Sequence, residues 1–438
     1  MREAVNHDEV FKISLAAELE RAKNKGFVEE CASIGELATG GLRIDLTSII
    51  IVKGKPLEEH FLTKTLKTLH GGKIPENINT VCLIVENKSP NDRLNPEKLG
   101  SFYEKYFWAK EKGGSSAEVA ALLAMAAPLP ETFTDTIKRG EKKDYGDFTI
   151  KCEGSWVEGY YLISVEGRRG VMPLVLANLN ELSDPLSLLL TLPTRKKREI
   201  HKVAEWLISL PEESKIDEVS YRKLVNYFRR MGGFRILSDE EIISDALREP
   251  LIAEGAAIDL VRQGRMETLA KLIEKLVESH RPGIAEPEEV VTTAIKTIKE
   301  IGDPQRKAEL ARSLAEIATE KLPPEKITTK IVEMIKAMPD RGAKLELALK
   351  ALDRLPPEKI TTKIVEMMEA MPDMGAKLEL ALKALDRLPP EKITTIIVGV
   401  MEAVPDMGAR RVLFSEASAK APEEMKIIAE LLKRLSLI

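Results

Sequence analysis

Two oppositely charged residues close a short apolar run and could do chemistry together. Val81 to Val85 form a continuous apolar segment, which is typical of a buried strand, and Glu86, Asn87 and Lys88 follow it. Side chains two residues apart on a strand point to the same face. The sequence therefore predicts that Glu86 and Lys88 share a face, where a carboxylate can bind a metal ion and an ammonium can orient a water.

Asp45 is the second candidate for the same site. It lies inside an apolar strand predicted over residues 42–54, and pairing of that strand with the one before Glu86 would bring both carboxylates to one end of a sheet. Two close carboxylates repel each other unless a cation joins them. Mg²⁺ or Mn²⁺ takes oxygen ligands of this kind. We therefore predict a divalent metal at Asp45 and Glu86, with Lys88 beside an attacking water.

Longer segments around these residues carry a family resemblance. They are LRIDLTSIIIVKG, VENKSPNDRLNPEKLGSFYEKYFWAK and GYYLISVEGRRGVMPLVLANLNELSD. An aspartate followed by a Glu-x-Lys-Ser-Pro turn and a tyrosine-rich helix resembles the PD-(D/E)xK nuclease superfamily, in its Rpn-like, transposase-associated branch, over residues 7–190. The resemblance implies that Asp45 and Glu86 are metal ligands and that Lys88 is the catalytic lysine. It also implies a further ligand from the first helix, a role that it assigns to Glu18.

The same resemblance implies a restriction-endonuclease-like mixed sheet flanked by helices. One segment of the sequence allows two interpretations, because AEVAALLAMAA at 117–127 matches a strand of the family while its alanine content favours a helix. We follow the resemblance and expect a strand at this position.

The C-terminal third of the sequence is repetitive. The segment PPEKITTKIVEMIKAMPDRGAKLELALKALDR begins at Pro323, recurs 33 residues later at Pro356 and starts a third time at Pro389. A degenerate copy begins at Pro287 and a final half-copy at Pro422. Each copy has the apolar spacing of two helices separated by a break. Helix pairs of this period stack into an α-solenoid, in which each pair covers its neighbour's apolar face.

Two basic segments between these regions are each open to two interpretations. RKKR at 195–198 could contact phosphate or lie solvated after Pro193. YRKLVNYFRRMGG at 221–233 mixes aromatic residues and arginines, as nucleic-acid surfaces do. The interpretation that we favour is an amphipathic helix with four buried residues and arginines in its last turn, the buried residues being Tyr221, Leu224, Val225 and Phe228.

The composition limits the classes of protein that fit. The net charge of −4 provides no overall attraction for nucleic acid. Three cysteines without paired spacing fit a reduced, cytoplasmic protein, and no apolar run is long enough to span a membrane. Many charged residues with only two glutamines are typical of a thermophile.

We therefore predict an α/β nuclease-like domain at 1–193, a helical connecting region at 194–286 and α-helical tandem repeats at 287–438. The leading function is that of a Mg²⁺-dependent DNA endonuclease with the repeats as a docking module for a protein partner. The alternative is a catalytically inactive scaffold or adaptor, in which the nuclease fold serves as a structural or dimerising module. The candidate partners are DNA, a protein bound by the repeats and a second copy of the chain.

Overall fold

The computed structural model describes residues 7–34, 37–39, 42–44, 46–91, 93–113, 117–279, 284–338 and 341–434. Contacts within the chain divide it into two compact units, Met1–Ser238 and Asp239–Ile438. All the strands of the described residues belong to the first unit, and the described part of the second unit contains helices and their connections. No helix among the residues described is both long and apolar enough to cross a membrane.

The first unit combines ten strands with eight α-helices in its described residues. The strands are β1 (Val28–Ile34), β2 (Leu37–Thr39), β3 (Leu42–Ile44), β4 (Leu46–Val52), β5 (Thr80–Lys88), β6 (Glu118–Met125), β7 (Lys143–Tyr145), β8 (Phe148–Val157), β9 (Tyr160–Gly167) and β10 (Gly170–Asn178). The helices are α1 (His7–Asn24), α2 (Phe61–Leu69), α3 (Pro96–Gly113), α4 (Glu131–Arg139), α5 (Pro185–Leu190), α6 (Lys197–Ser214), α7 (Glu218–Arg230) and α8 (Gly233–Ile236).

Eight of these strands form one mixed sheet in the order β1-β4-β5-β6-β10-β9-β8-β7. The strands β5, β6 and β10 run parallel, and the remaining neighbours are antiparallel. The predicted pairing of the two apolar strands is confirmed, because β4 pairs with β5 and Leu46 lies opposite Val85. The strand predicted over 42–54 is divided, since β3 pairs with β2 in a separate two-stranded sheet.

The alanine-rich segment forms strand β6, as the family resemblance implies. It lies between β5 and β10 and is buried along almost its whole length. A central parallel strand is covered on both faces, so small alanine side chains let elements pack closely on either side. This tertiary environment outweighs the intrinsic helix preference of alanine.

The two faces of the sheet are covered by different helices. The aromatic residues Phe102 and Tyr103 of α3 lie in one apolar cluster with Ile84 of β5 and Leu123 of β6. On the other face, α1 reaches β5 through the Asn87 side chain, which donates a hydrogen bond of 3.0 Å to Asp8 of α1. Successive residues at the end of β5 therefore face different helices.

The second unit contains twelve helices in the part of the chain that is described. They are α9 (Asp239–Ala246), α10 (Pro250–Gln263), α11 (Met266–Ser279), α12 (Pro287–Lys299), α13 (Pro304–Lys321), α14 (Pro324–Ala337), α15 (Arg341–Arg354), α16 (Pro357–Glu369), α17 (Met374–Arg387), α18 (Pro390–Glu402), α19 (Met407–Lys420) and α20 (Pro422–Arg434). From α12 onward each helix contacts the second helix after it, and α12/α13, α14/α15, α16/α17 and α18/α19 also contact as pairs.

Equivalent residues of the repeats have equivalent positions. Pro323, Pro356 and Pro389 each occupy the N-cap position, and a second proline follows as the first helical residue. Proline fits this position because the first turn has no partner for its missing N–H. The side chains of Met367 and Met368 are fully buried, so they fill the core between helices.

Candidate functional site

The end of β5 presents Glu86 and Lys88 on one face of the sheet. The Lys88 ammonium donates to Glu86 Oε1 at 2.8 Å, and the two-residue alternation of a strand places both side chains on this face. Asn87 points to the opposite face, where its amide nitrogen lies 3.0 Å from Asp8 Oδ1 and 3.1 Å from His7 Nδ1. The strand therefore delivers a carboxylate and an ammonium to the side covered by α3.

A second lysine joins this pair from α3. The Lys105 ammonium donates to Glu86 Oε2 at 3.0 Å, so each carboxylate oxygen accepts a different lysine. Sequence reasoning missed Lys105, although a signal was present. It lies three residues after Phe102 and four before Ala109, on the stripe of α3 that is otherwise apolar and buried. A lysine in an apolar stripe needs a buried acceptor.

The three charged side chains are almost completely removed from solvent. The exposed fractions are 10% for Glu86, 5% for Lys88 and 4% for Lys105. Charges at such depth lose their hydration, and only close ion pairs compensate for that loss. Each oxygen of the Glu86 carboxylate is thus paired with an ammonium at the end of β5.

The position of Asp45 lies outside the described residues. Its neighbour in the sequence, Leu46, is paired with Val85, the residue that precedes Glu86. The predicted meeting of Asp45 with Glu86 therefore stays a prediction.

Glu18 belongs to a different environment from Glu86. It is part of α1, and α1 contacts β5 on the face from which Asn87 projects. Glu18 Oε1 accepts a hydrogen bond of 2.6 Å from the indole N–H of Trp206, on α6, and lies 3.5 Å from the guanidinium of Arg21. The described contacts of Glu18 thus join it to α6 and not to the Glu86 cluster.

Burial sets the protonation behaviour around Glu18. Loss of solvent raises the pKa of the Glu18 carboxyl, and the charge of Asp184 raises it further, while the Trp206 and Arg21 contacts act in the opposite direction. The neighbouring His60 imidazole has its pKa lowered by burial to about 4. Its Nδ1 accepts from the Leu62 N–H, so Nε2 carries the proton and donates to the Glu18 carbonyl oxygen at 2.9 Å.

The metal prediction can be tested against the chemistry of the donors. Across the residues described, no three His, Cys, Asp or Glu side chains come together as a metal-binding group. Glu86 has the hard oxygen atoms that Mg²⁺ prefers, and a carboxylate offers about four acceptor positions, of which the two lysines use two. The donor type fits a divalent ion, provided that Asp45 supplies the second carboxylate.

The two basic segments are placed in the first unit. In α7 the side chains of Tyr221, Leu224, Val225 and Phe228 are buried. The helix ends just before Gly232, whose φ of 88° suits glycine, so the amphipathic interpretation is confirmed. In the RKKR segment, Arg195 donates to Thr191 Oγ1 at 2.8 Å, whereas the three residues after it are exposed.

Comparison with protein-family models, with curated proteins and with solved structures found no match to this chain.

Proposed function

We propose that the chain is a Mg²⁺- or Mn²⁺-dependent nuclease of PD-(D/E)xK type that hydrolyses phosphodiester bonds in DNA. The observation that carries the proposal is the position of Glu86 between the ammoniums of Lys88 and Lys105, at 2.8 and 3.0 Å. A carboxylate at a strand end with lysines beside it provides both a metal ligand and cations for a phosphate.

Four residues would have distinct roles in this reaction. Asp45 and Glu86 would hold the ion, which when bound supplies Lewis acidity at the phosphoryl oxygen and a water of lowered pKa. Lys88 would orient the attacking water and offset the negative charge that develops on the phosphate. Lys105 would hold the second oxygen of Glu86 and so fix the plane of the carboxylate.

The helical repeats fit a docking role beside this activity. We propose that α12–α20 form an α-solenoid that binds a protein partner, supported by the contact of each helix with the second helix after it. Solenoids present extended surfaces because each repeat contacts only its neighbours.

The test of the nuclease proposal is cleavage by the full chain of single-stranded and double-stranded DNA and RNA, with Mg²⁺ or Mn²⁺. We expect metal-dependent cleavage of at least one DNA form and none in Asp45→Ala. Cleavage that survives this substitution, or that continues in EDTA, would refute the assignment of the site.

A specific observation favours a second function, that of an inactive adaptor. All three charged side chains at the end of β5 are at least 90% shielded from solvent, and a closed ion-pair cluster can serve the fold alone. The two functions differ in how the chain binds DNA. Under the nuclease proposal, Mn²⁺ raises the affinity of the full chain for DNA in fluorescence anisotropy and Asp45→Ala removes that increase, whereas an adaptor shows no Mn²⁺-dependent change in DNA binding.

A further inference from the structure

A cavity of about 580 Å³ lies on the side of the first unit where α1, α2, α5 and α6 meet. Ligand sites in proteins commonly have volumes of about 300–1,000 Å³. Its walls come from α1, from the segment leading into α2, from the segment that precedes α5, and from α6. Glu18 lines this cavity, and neither Glu86 nor Lys88 does.

Two carboxylates face the cavity from different elements. Glu18 projects from α1 and Asp184 precedes α5. They are close enough for the charge of Asp184 to raise the pKa of Glu18. The hydrogen-bond donors described for Asp184 are the backbone N–H and hydroxyl of Ser187, at 3.1 and 2.8 Å. The charge of Arg195, which is outside the lining, also acts on Asp184. Two carboxylates in mutual repulsion bind a cation favourably.

Two cationic side chains of the lining face a carboxylate outside it. Arg21 pairs closely with Glu213 and also lies 3.5 Å from Glu18 Oε1, and Lys25 lies 3.7 Å from Glu213. His60 is held neutral by burial, with both ring nitrogens in hydrogen bonds to the backbone. A third cation, Lys202, is exposed to solvent. The lining as a whole is nevertheless acidic, because the carboxylates of Glu18, Glu59, Asp184 and Glu205 outnumber the cationic side chains of Arg21, Lys25 and Lys202.

The cavity also has an apolar wall formed by Leu57, Phe61 and Leu186. A carboxylate pair opposite an apolar surface suits a molecule that has a cationic group on a hydrocarbon chain. An inorganic cation would leave that wall unused, and an anion would meet Glu18 and Asp184 unfavourably.

We propose that this cavity binds a small organic cation, with its ammonium or guanidinium group at Glu18 and Asp184 and its methylene chain along Leu57, Phe61 and Leu186. The Trp206 indole holds Glu18 in position through the hydrogen bond at 2.6 Å. The site is separate from Asp45 and Glu86 of the nuclease proposal, and it gives Glu18 a role other than the metal ligand that the family resemblance implies.

Isothermal titration calorimetry of the full chain with agmatine tests the proposal, because agmatine carries a guanidinium and an ammonium on a short methylene chain. We expect binding with Kd at or below about 1 mM. Glu18→Gln keeps an acceptor for Trp206 and should weaken binding at least about tenfold, which corresponds to about 1.4 kcal/mol. Asp184→Asn, which keeps a good N-cap residue, should weaken it similarly.

The matched control is Glu20→Gln, which makes the same change on the same helix at a residue outside the lining. It should leave agmatine binding unchanged, and citrate should not compete. No heat of binding at millimolar agmatine, equal weakening by Glu20→Gln, or tighter binding of citrate than of agmatine would each overturn the proposal.

Discussion

Glu86 is the carboxylate that binds both buried ammoniums at the end of β5. Its two oxygen atoms are the described acceptors for two buried ammoniums, on β5 and on α3. Loss of the Glu86 carboxylate would remove the described acceptor of both ammoniums, whereas loss of one lysine would leave Glu86 paired with the other. The two kinds of substitution should therefore differ in their effect on stability.

We expect Glu86→Gln to lower the free energy of unfolding by about 3–5 kcal/mol, the usual cost of breaking a buried pair from one side. Lys105→Met, which keeps the Lys88–Glu86 pair, should cost less. Urea unfolding of both variants measures the difference. An equal or larger cost for Lys105→Met would show that the charge balance around Glu86 does not decide the stability of this cluster.

His60 gives a prediction about pH. Its pKa is about 4 in the folded chain against an ordinary value of 6.5, so the unfolded chain binds a proton first as the pH falls. The stability that neutral His60 gives the folded chain is fully present above pH 6.5 and is lost as the pH falls to about 4. This loss lowers the free energy of unfolding by about 3 kcal/mol. Glu18, with a raised pKa, acts in the opposite direction in the acid range.

The measurement is the free energy of unfolding of wild type and His60→Gln at pH 7 and pH 4. The wild type should lose more stability over this interval than the variant, by up to about 3 kcal/mol. An equal loss of unfolding free energy in wild type and His60→Gln would mean that His60 is not held neutral in the folded chain.

Residue-level prediction from the sequence succeeded where the relation was local. The common face of Glu86 and Lys88 follows from the period of a strand. The contact of Lys105 with Glu86 depends on how α3 packs on the sheet, and the contact of Trp206 with Glu18 joins residues 188 positions apart. Tertiary packing of this kind has no local signature.

At the scale of elements, the repeats were the most predictable part because the same segment recurs every 33 residues in the sequence. The helices begin immediately after Pro323, Pro356 and Pro389, the residues at which the copies of the repeated segment begin. Strand β6 could not be settled by propensity, since its alanines suit close packing between β5 and β10. The division of the strand predicted over 42–54 also has no signal in its apolar pattern.

Ion pairs between successive repeats follow the same 33-residue period. Arg387 lies 3.6 Å from Asp353, and Lys420 pairs with Asp386 at the equivalent positions of the next repeat. Removal of residues 356–388 would place Asp353 where Asp386 was, so Lys420 would regain a carboxylate. One repeat should therefore be removable as a unit.

We expect the 356–388 deletion to remain folded and to lose the helical circular dichroism of α16 and α17 alone, which contain 13 and 14 residues. Circular dichroism with a thermal melt measures this. A loss far beyond one repeat's share would indicate that the helices form one indivisible cooperative core.

At the scale of the whole molecule, a divalent ion should stabilise the full chain through the first unit. A ligand that binds only the folded state stabilises it by about 2.7 kcal/mol at ~100 times its Kd. We expect Mg²⁺ or Mn²⁺ to raise the Tm of wild type and of the 356–388 deletion, and to leave Glu86→Gln unchanged. The control Glu97→Gln, an exposed residue of α3, should respond like wild type, and a full response in Glu86→Gln would place the ion elsewhere.

The rate of DNA cleavage by lysine variants tests the central claim most directly. With Mg²⁺ and the DNA form that the wild type cleaves, Lys88→Met should reduce kcat on the order of 10²-fold or more, as loss of a group that stabilises the transition state does. Lys112→Met, an exposed residue at the end of α3, should cleave at the wild-type rate. Equal rates for Lys88→Met and Lys112→Met, or no metal-dependent cleavage by the folded wild type, would contradict the assignment of a nuclease site to the end of β5.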